Sequence, residues 1–174
     1  MHGDAQALPF PEVSFDRVLS CVGVQFCADH HAAASELVRV CRPGGRIVLL
    51  AWTREGFIGR VLAAVAGATV GAGSGRSPLD WGSEEKMNEL FGEHVAGIDF
   101  QREHEEMPAQ SPGDWVDYMA GAYGPLVRAR AALRARGEWE RLRGRLSEIA
   151  SAYNVGDRDE FAGRAEYLTA VLHR

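Results

Sequence analysis

The sequence has 174 residues, about the length of one domain. Hydrophobic residues make up 46% of it and charged residues 25%, which excludes collagen-like and strongly disordered proteins. The 24 acidic residues outnumber the 19 basic ones, and the formal net charge of −5 argues against a nucleic-acid-binding protein.

The cysteines and the N-terminus indicate a cytoplasmic protein. Cys21, Cys27 and Cys41 are too few and too irregularly spaced for a disulfide framework, and with the histidines they match no standard zinc site. The N-terminal residues MHGDAQALPF lack the basic and apolar regions of a signal peptide. The longest apolar run, residues 61–70, is shorter than the ~20 residues that cross a bilayer, so we expect no membrane partner.

The first third of the chain predicts a strand, a helix and a second strand. Residues 15–24 (FDRVLSCVGV) predict a strand whose centre is covered on both faces. Asp29 can cap a helix that carries an apolar stripe over residues 34–41. The residues Arg42-Pro43-Gly44-Gly45 predict a tight turn, and residues 46–52 predict the second strand. Strand, helix and strand form a βαβ unit, which predicts parallel strands joined by a right-handed crossover.

The remaining two thirds predict further strands and a helical region. Alternating apolar residues predict a strand over 96–103, and a weaker pattern indicates a second strand over 103–109. A helix is expected from residue 111 to about 123, and a longer helix over residues 126–153. Residues 159–172 indicate a last helix or a mixture of strand and helix.

Short motifs follow one another in a fixed order through the first 53 residues. They are Gly3-Asp4-Ala5, Leu8-Pro9-Phe10, and the segments 14–18 (SFDRV), 36–40 (ELVRV) and 42–46 (RPGGR). This ordered series resembles the class I S-adenosylmethionine-dependent methyltransferase domain, in its small-molecule (type 11) branch. Looser similarity continues at residues 79–82, 123–125 and 166–168.

The resemblance implies an α/β fold: a partial Rossmann-like sheet followed by a helical C-terminal region. The family's sheet has the strand order 3-2-1-4-5-7-6, and this chain is expected to supply the equivalents of strands 4, 5, 6 and 7. We expect residues 1–110 to form the C-terminal portion of the methyltransferase domain, and residues 111–174 a helical region packed on or beside it.

The family's glycine-rich Gly-x-Gly-x-Gly loop has no counterpart before Gly3, so the resemblance also implies a truncated domain. The glycine-rich residues 71–75 follow the second strand of the βαβ unit, which is the wrong order for that loop. Without its neighbours, the strand at residues 15–22 becomes an exposed edge that can pair with another chain. We therefore expect a homodimer, completion of the sheet by a separate chain, or a chain that folds poorly alone.

The resemblance assigns the cofactor-binding residues for S-adenosylmethionine and its product S-adenosylhomocysteine. The carboxylate of Asp4 would accept a hydrogen bond from the adenine amino group, because a carboxylate only accepts. The backbone N–H of Ala5 would face the adenine ring, with Gln6 adjacent. The methionine part and the reactive methyl group would lie against the segment after the first strand, where the candidates are Ser20, Cys21 and Val22.

Residues at the same end of the strands are candidates for the methyl acceptor's pocket, with core packing as the alternative for each. They are Gln25, Phe26, Trp52 and Trp81. His30 and His31 are candidates for a general base, with a solvated helix start as the alternative.

The sequence therefore predicts methyl transfer to a small-molecule acceptor, incomplete in this chain. The alternative is a non-catalytic truncated remnant that acts as an oligomeric or partner-binding module.

Overall fold

The computed structural model describes residues 2–69, 77–157 and 160–174. The glycine-rich residues 71–75 lie outside these ranges. The strands are β1 (Phe15–Cys21), β2 (Cys41–Trp52), β3 (Gly97–Ala109) and β4 (Phe161–His173). The helices are α1 (His30–Val40), α2 (Phe57–Thr69), α3 (Glu84–Phe91), α4 (Pro112–Ala122), α5 (Gly124–Arg134) and α6 (Trp139–Ala152). Two short 3-10 helices, Val24–Phe26 and Pro78–Gly82, precede α1 and α3.

The four strands form one sheet in the order β1-β2-β4-β3. β1 and β2 are parallel, with Val18 opposite Ile47, as the βαβ pattern predicts. β2 and β4 are antiparallel, with Ile47 opposite Leu172. This order is that of the family's strands 4, 5, 7 and 6, so the predicted α/β class and partial Rossmann-like sheet are confirmed.

The expected turn before the second strand is a bulge inside it. Phe15 lies opposite Cys41 and Arg17 lies opposite Arg46, so β2 accommodates three extra residues between these two pairs. Gly44 has a φ of 77°, which a glycine adopts without steric strain. The prediction of a strand starting at residue 46 was therefore short by five residues.

The expectation that β1 is covered on both faces was wrong. Within the described residues β1 pairs with β2 alone, and all of its residues are exposed or half-buried. Leu19 is 73% exposed. A run of apolar residues is typical of a central strand, but burial depends on the neighbours that pair and pack against it.

The chain divides into two compact units. The first contains residues 1–54, 75–103 and 167–174. Its core lies where α1, the 3-10 helix at Pro78–Gly82 and α3 pack on β2 and β4. The largest buried side chains there are Ile47, Leu49, Trp81, Met87, Phe91 and Leu172.

The second unit contains residues 55–74 and 104–166. Phe57 lies at its centre, with ring centroids 4.5 Å from Trp115, 5.7 Å from Tyr153 and 6.4 Å from Phe161. The expected boundary between residues 1–110 and 111–174 stays a prediction, because compactness does not show which part folds alone.

Three predictions for the second half of the chain were wrong. The helix expected over 126–153 is two helices, because Gly137 has a φ of 69° between α5 and α6. The two strands expected over 96–109 are one strand, β3. Residues 159–172 were expected to include a helix, but Phe161–His173 is a strand in which Leu168, Ala170 and Leu172 are buried at period two. No described helix combines the length and apolarity needed to cross a membrane.

Candidate functional site

The chain makes a sharp turn where β1 ends. Val22 has a φ of 55°, a region that a β-branched residue rarely adopts. Its backbone N–H donates to the carbonyl of Leu50 at 2.9 Å, and the Ser20 hydroxyl accepts from the N–H of Val24 at 3.1 Å. Cys21 is exposed at the end of the strand. These bonds hold an unfavourable backbone conformation at the carboxyl end of β1, where open α/β sheets bind ligands.

Asp4 and Gln6 lie beside this turn. The Asp4 carboxylate accepts the backbone N–H of Gln6 at 2.9 Å and the side-chain amide nitrogen of Gln6 at 3.2 Å. The Gln6 Oε1 accepts the backbone N–H of Asp29, the N-cap of α1, at 2.6 Å. Burial raises the pKa of Cys27, and the negative charge of Asp4 raises it further. Asp4 is therefore close to the residues that connect β1 to α1.

An open groove runs along β1 and reaches the turn at its end. Its volume is about 410 Å³, and both Ala5 and Ser20 line it. The fold therefore brings together predicted cofactor residues from two separate segments. The other lining residues come from the N-terminal segment, β1, the turn and α1: Leu8, Phe10, Phe15, Arg17, Val18, Leu19, Gly23, Val24, Leu37 and Val40.

A second group gathers where β2 ends, and we call it the buried cluster: Gln25, His30 and Trp81, which are buried, with Trp52, which is half-buried. Gln25 is 1% exposed, and its Oε1 accepts the backbone N–H of Trp52 at 3.2 Å. His30 is 2% exposed, and its ring lies edge-on to Trp81 with centroids 5.5 Å apart. Gly82 packs so closely on Trp52 that an added Cβ would lie 2.1 Å from the Trp52 carbonyl oxygen. The fold thus brings together one predicted general base and three predicted acceptor residues.

Phe26 and His31, the other two residues predicted at this end of the strands, are more exposed than the buried cluster. Phe26 is 38% exposed, in the 3-10 helix before α1. His31 is exposed at the start of α1, where its backbone N–H donates to the Asp29 carboxylate at 2.9 Å. Within the described ranges, no group of three or more His, Cys, Asp or Glu side chains could hold a metal ion.

Sequence reasoning missed the ion pair that holds the N-terminal segment on α1. Glu36 accepts the backbone N–H of Leu8 at 2.6 Å, and Arg39 donates to the carbonyls of Leu8 and Phe10. Glu36 and Arg39 also bind each other at 2.6 Å. The hydrogen bond from Arg39 lowers the pKa of Glu36, helped by the N–H of Leu8. The three-residue spacing signals a helical pair, but it does not reveal the long-range partner.

Comparison with known proteins finds a family match for the N-terminal segment. The family model for a methyltransferase domain matches residues 1–49. That segment contains Asp4, Gln6, β1, the turn and α1, and it ends inside β2.

Curated relatives extend the similarity beyond this segment. The protein Rv1405c of Mycobacterium tuberculosis is 45% identical over 131 residues, which cover 74% of this chain and 47% of that protein. The malonyl-(acyl-carrier protein) O-methyltransferase of Erwinia pyrifoliae is 45% identical over 62 residues, 36% of this chain and 23% of that enzyme. The chain thus spans about half the length of the first of these relatives.

The fold agrees with the family match. A solved Bacillus halodurans structure, assigned as a methyltransferase, superposes with a TM-score of 0.58 at 15% identity. The superposition covers 98% of this chain and 69% of that one. The match of residues 1–49 to a methyltransferase domain and the fold agree, and the chain has the fold of the class I S-adenosylmethionine-dependent methyltransferases.

Proposed function

We propose that this chain takes part in methyl transfer from S-adenosylmethionine to a small-molecule acceptor. The observation that carries the proposal is the position of Asp4, whose carboxylate lies at the carboxyl end of β1 beside a groove lined by Ala5 and Ser20. Ligands of open α/β sheets bind at this end of the strands.

The donors and acceptors of residues 4–6 fit the edge of adenine. That edge presents an amino group, which donates, next to a ring nitrogen, which accepts. Asp4 is exposed and supplies the acceptor. The backbone N–H of Ala5 makes no hydrogen bond within the described ranges, so it is available as the donor. One acceptor beside one donor selects adenine over bases that carry a carbonyl at the same position.

The other residues would align the reactants. S-adenosylmethionine supplies a methyl group on a sulfonium, which is already an excellent leaving group, so the protein mainly orients the reactants and excludes water. Ser20, Cys21 and Val22 would border the methionine part from the turn after β1. The buried cluster, with Phe26 at its margin, would contact the acceptor. If the acceptor must lose a proton, His30 is the better-placed base, because it lies within the cluster and His31 is exposed.

We also propose that polypeptide outside these 174 residues completes the site. The support is the groove itself, which is open along β1, and the exposure of Leu19 at that edge. A glycine-rich loop and the strand before it would close the groove from that side. The whole enzyme's acceptor would then depend on both parts.

A ¹H–¹⁵N NMR titration of the chain with S-adenosylhomocysteine tests the adenine contact. We expect saturable shifts of the amides of Ala5 and Gln6 and of residues 20–24, weakened in Asp4→Asn. The matched control is Asp16→Asn, because Asp16 is an exposed carboxylate at the opposite end of β1, paired with Arg42 at 3.0 Å. Absence of saturable shifts, or equal affinity for the Asp4 variant, would refute the proposal.

The exposed edge also favours the second candidate function, a self-associating module. Leu19 projects from an edge strand, which is a ready template for pairing with another copy. Sedimentation should then show a dimer that Leu19→Lys converts to a monomer. Tyr118→Lys is the control, because Tyr118 is equally exposed, at 72%, on α4. A monomeric unsubstituted chain would exclude the module.

A further inference from the structure

We infer that Gln6 is a positioning residue, which aims the Asp4 carboxylate at the adenine without touching the cofactor itself. This inference rests on the proposed function, since it assigns how the Asp4 contact is set up. It changes the expectation that Gln6 binds the cofactor directly.

The side-chain amide of Gln6 is occupied at both ends. Its Nε2 lies 3.2 Å from each oxygen of the Asp4 carboxylate. Its Oε1 accepts the backbone N–H of Asp29 at 2.6 Å. A backbone N–H can only donate, so this bond fixes which end of the amide is the oxygen and therefore turns the nitrogen toward Asp4.

This arrangement holds the Asp4 carboxylate from one side. The backbone N–H of Gln6 binds Asp4 Oδ1 at 2.9 Å, and the side-chain nitrogen spans both oxygens. Each carboxylate oxygen can accept more than one hydrogen bond, so capacity for an amino group remains. A carboxylate fixed before the ligand arrives loses less conformational freedom on binding, which raises affinity.

The same amide joins the loop to α1. The backbone N–H of Asp29 donates to the Gln6 Oε1. The Asp29 carboxylate accepts the backbone N–H groups of His31 and Ala32 at 2.9 and 3.1 Å, and so caps α1. The bond to Gln6 therefore fixes the position of residues 4–6 relative to the first turn of α1, which is a rigid element. We call the hydrogen bond between Gln6 Oε1 and the Asp29 N–H the anchor. If Gln6 had only a structural role, it would act through the anchor and would not affect the Asp4 carboxylate.

Two substitutions separate anchoring from positioning. Gln6→Leu removes both bonds. Gln6→Glu keeps an oxygen for the Asp29 N–H but places a second negative charge beside Asp4, where like charges repel. Amide hydrogen exchange at Asp29 reports the anchor, and S-adenosylhomocysteine titration reports the positioning. Gln101→Leu, at an exposed site on β3, is the control for a glutamine substitution.

We expect Gln6→Leu to accelerate exchange at Asp29 and to weaken binding about tenfold, as expected for one lost hydrogen bond to a charged group. Gln6→Glu should weaken binding at least as much while exchange at Asp29 stays slow. The double variant Asp4→Asn/Gln6→Leu should bind no more weakly than Asp4→Asn, because Gln6 acts through Asp4.

The two proposals fail differently. Equal affinity for the unsubstituted chain and Asp4→Asn overturns the adenine contact. If Asp4→Asn binds weakly but Gln6→Glu binds normally, the adenine contact stands and Gln6 is an anchor only. Additive losses in the double variant also overturn the positioning role.

Discussion

The side-chain oxygen of Gln25 accepts the backbone N–H of Trp52 at 3.2 Å, which links the 3-10 helix after β1 to the last residue of β2. Gln25 is buried, and its Nε2 finds no partner within the described ranges. The bond determines the orientation of the amide, because the Trp52 N–H can only donate. One neutral side chain thus connects two strand ends in a region with little access to water.

Gln25→Glu should make stability depend on pH. The substitution keeps the shape and the acceptor, but burial disfavours the charged carboxylate and raises its pKa in the folded state. The penalty is absent below the unfolded pKa of about 4.3 and grows as pH rises toward the folded pKa. Urea unfolding should show a loss of about 2 kcal/mol at neutral pH that disappears in acid. The exposed variant Gln101→Glu should show no such difference, and a pH-independent loss for Gln25→Glu would contradict the argument.

Glu36→Gln should destabilise the protein at neutral pH, because it removes a carboxylate that is stabilising only when it is charged. The pKa of Glu36 is lowered, so its ion pair stabilises the fold above the unfolded pKa of about 4.3 and stops doing so as pH falls through the folded pKa. Chemical unfolding at neutral pH should show a loss of about 1–2 kcal/mol that shrinks in acid. Glu89→Gln is matched in spacing, because Glu89 pairs with Lys86 three residues away, but that pair is exposed. An equal effect in both variants would show that the contacts to Leu8 contribute nothing.

Gly82→Ala should destabilise the protein strongly. The new methyl group would meet the Trp52 carbonyl oxygen at 2.1 Å and the Thr53 Cα at 2.9 Å, and backbone atoms cannot move aside as a flexible side chain can. We expect a loss of about 3 kcal/mol in thermal or urea unfolding. Gly121→Ala is the control, because nothing lies within 4 Å of a Cβ there, in the last turn of α4. That change should raise stability slightly, since alanine favours helix.

Val22→Asn should be more stable than Val22→Thr. Both substitutions place a polar side chain at the half-buried position, but threonine keeps the branched Cβ and asparagine tolerates a positive φ. Relief of the backbone strain should amount to about 1 kcal/mol in urea unfolding. The pair should also be compared in the S-adenosylhomocysteine titration. Equal stabilities would mean that the left-handed conformation at Val22 carries no strain.

The sequence predicted the parts of the fold in which local pattern and tertiary environment agree. The helix after Asp29 formed as expected, because the capping carboxylate and the apolar stripe are both local signals. The parallel pairing of β1 with β2 followed from the spacing of the βαβ unit. The two helices α5 and α6 were merged in the prediction, because the apolar repeat that indicated a helix begins at Trp139, after the break that the positive φ of Gly137 makes.

The candidate site was predicted residue by residue, but its geometry was not. The motif order pointed to Asp4, Ala5 and Ser20, and the fold brings these segments to one end of β1. Two features had no sequence signal. One is the burial of His30 against Trp81, 51 positions along the chain, and the other is the hold of Glu36 on Leu8.

By itself, the amino-acid order predicted the βαβ unit and the similarity of the N-terminal segment to a methyltransferase domain, because hydrophobic period, capping residues and motif spacing are all local properties of the chain. Only the tertiary structure decided that Gln6 connects Asp4 to Asp29 and that Gln25 binds the backbone of Trp52. Each of these depends on which distant groups become neighbours, and burial and hydrogen bonding are set by those neighbours rather than by a residue's own type.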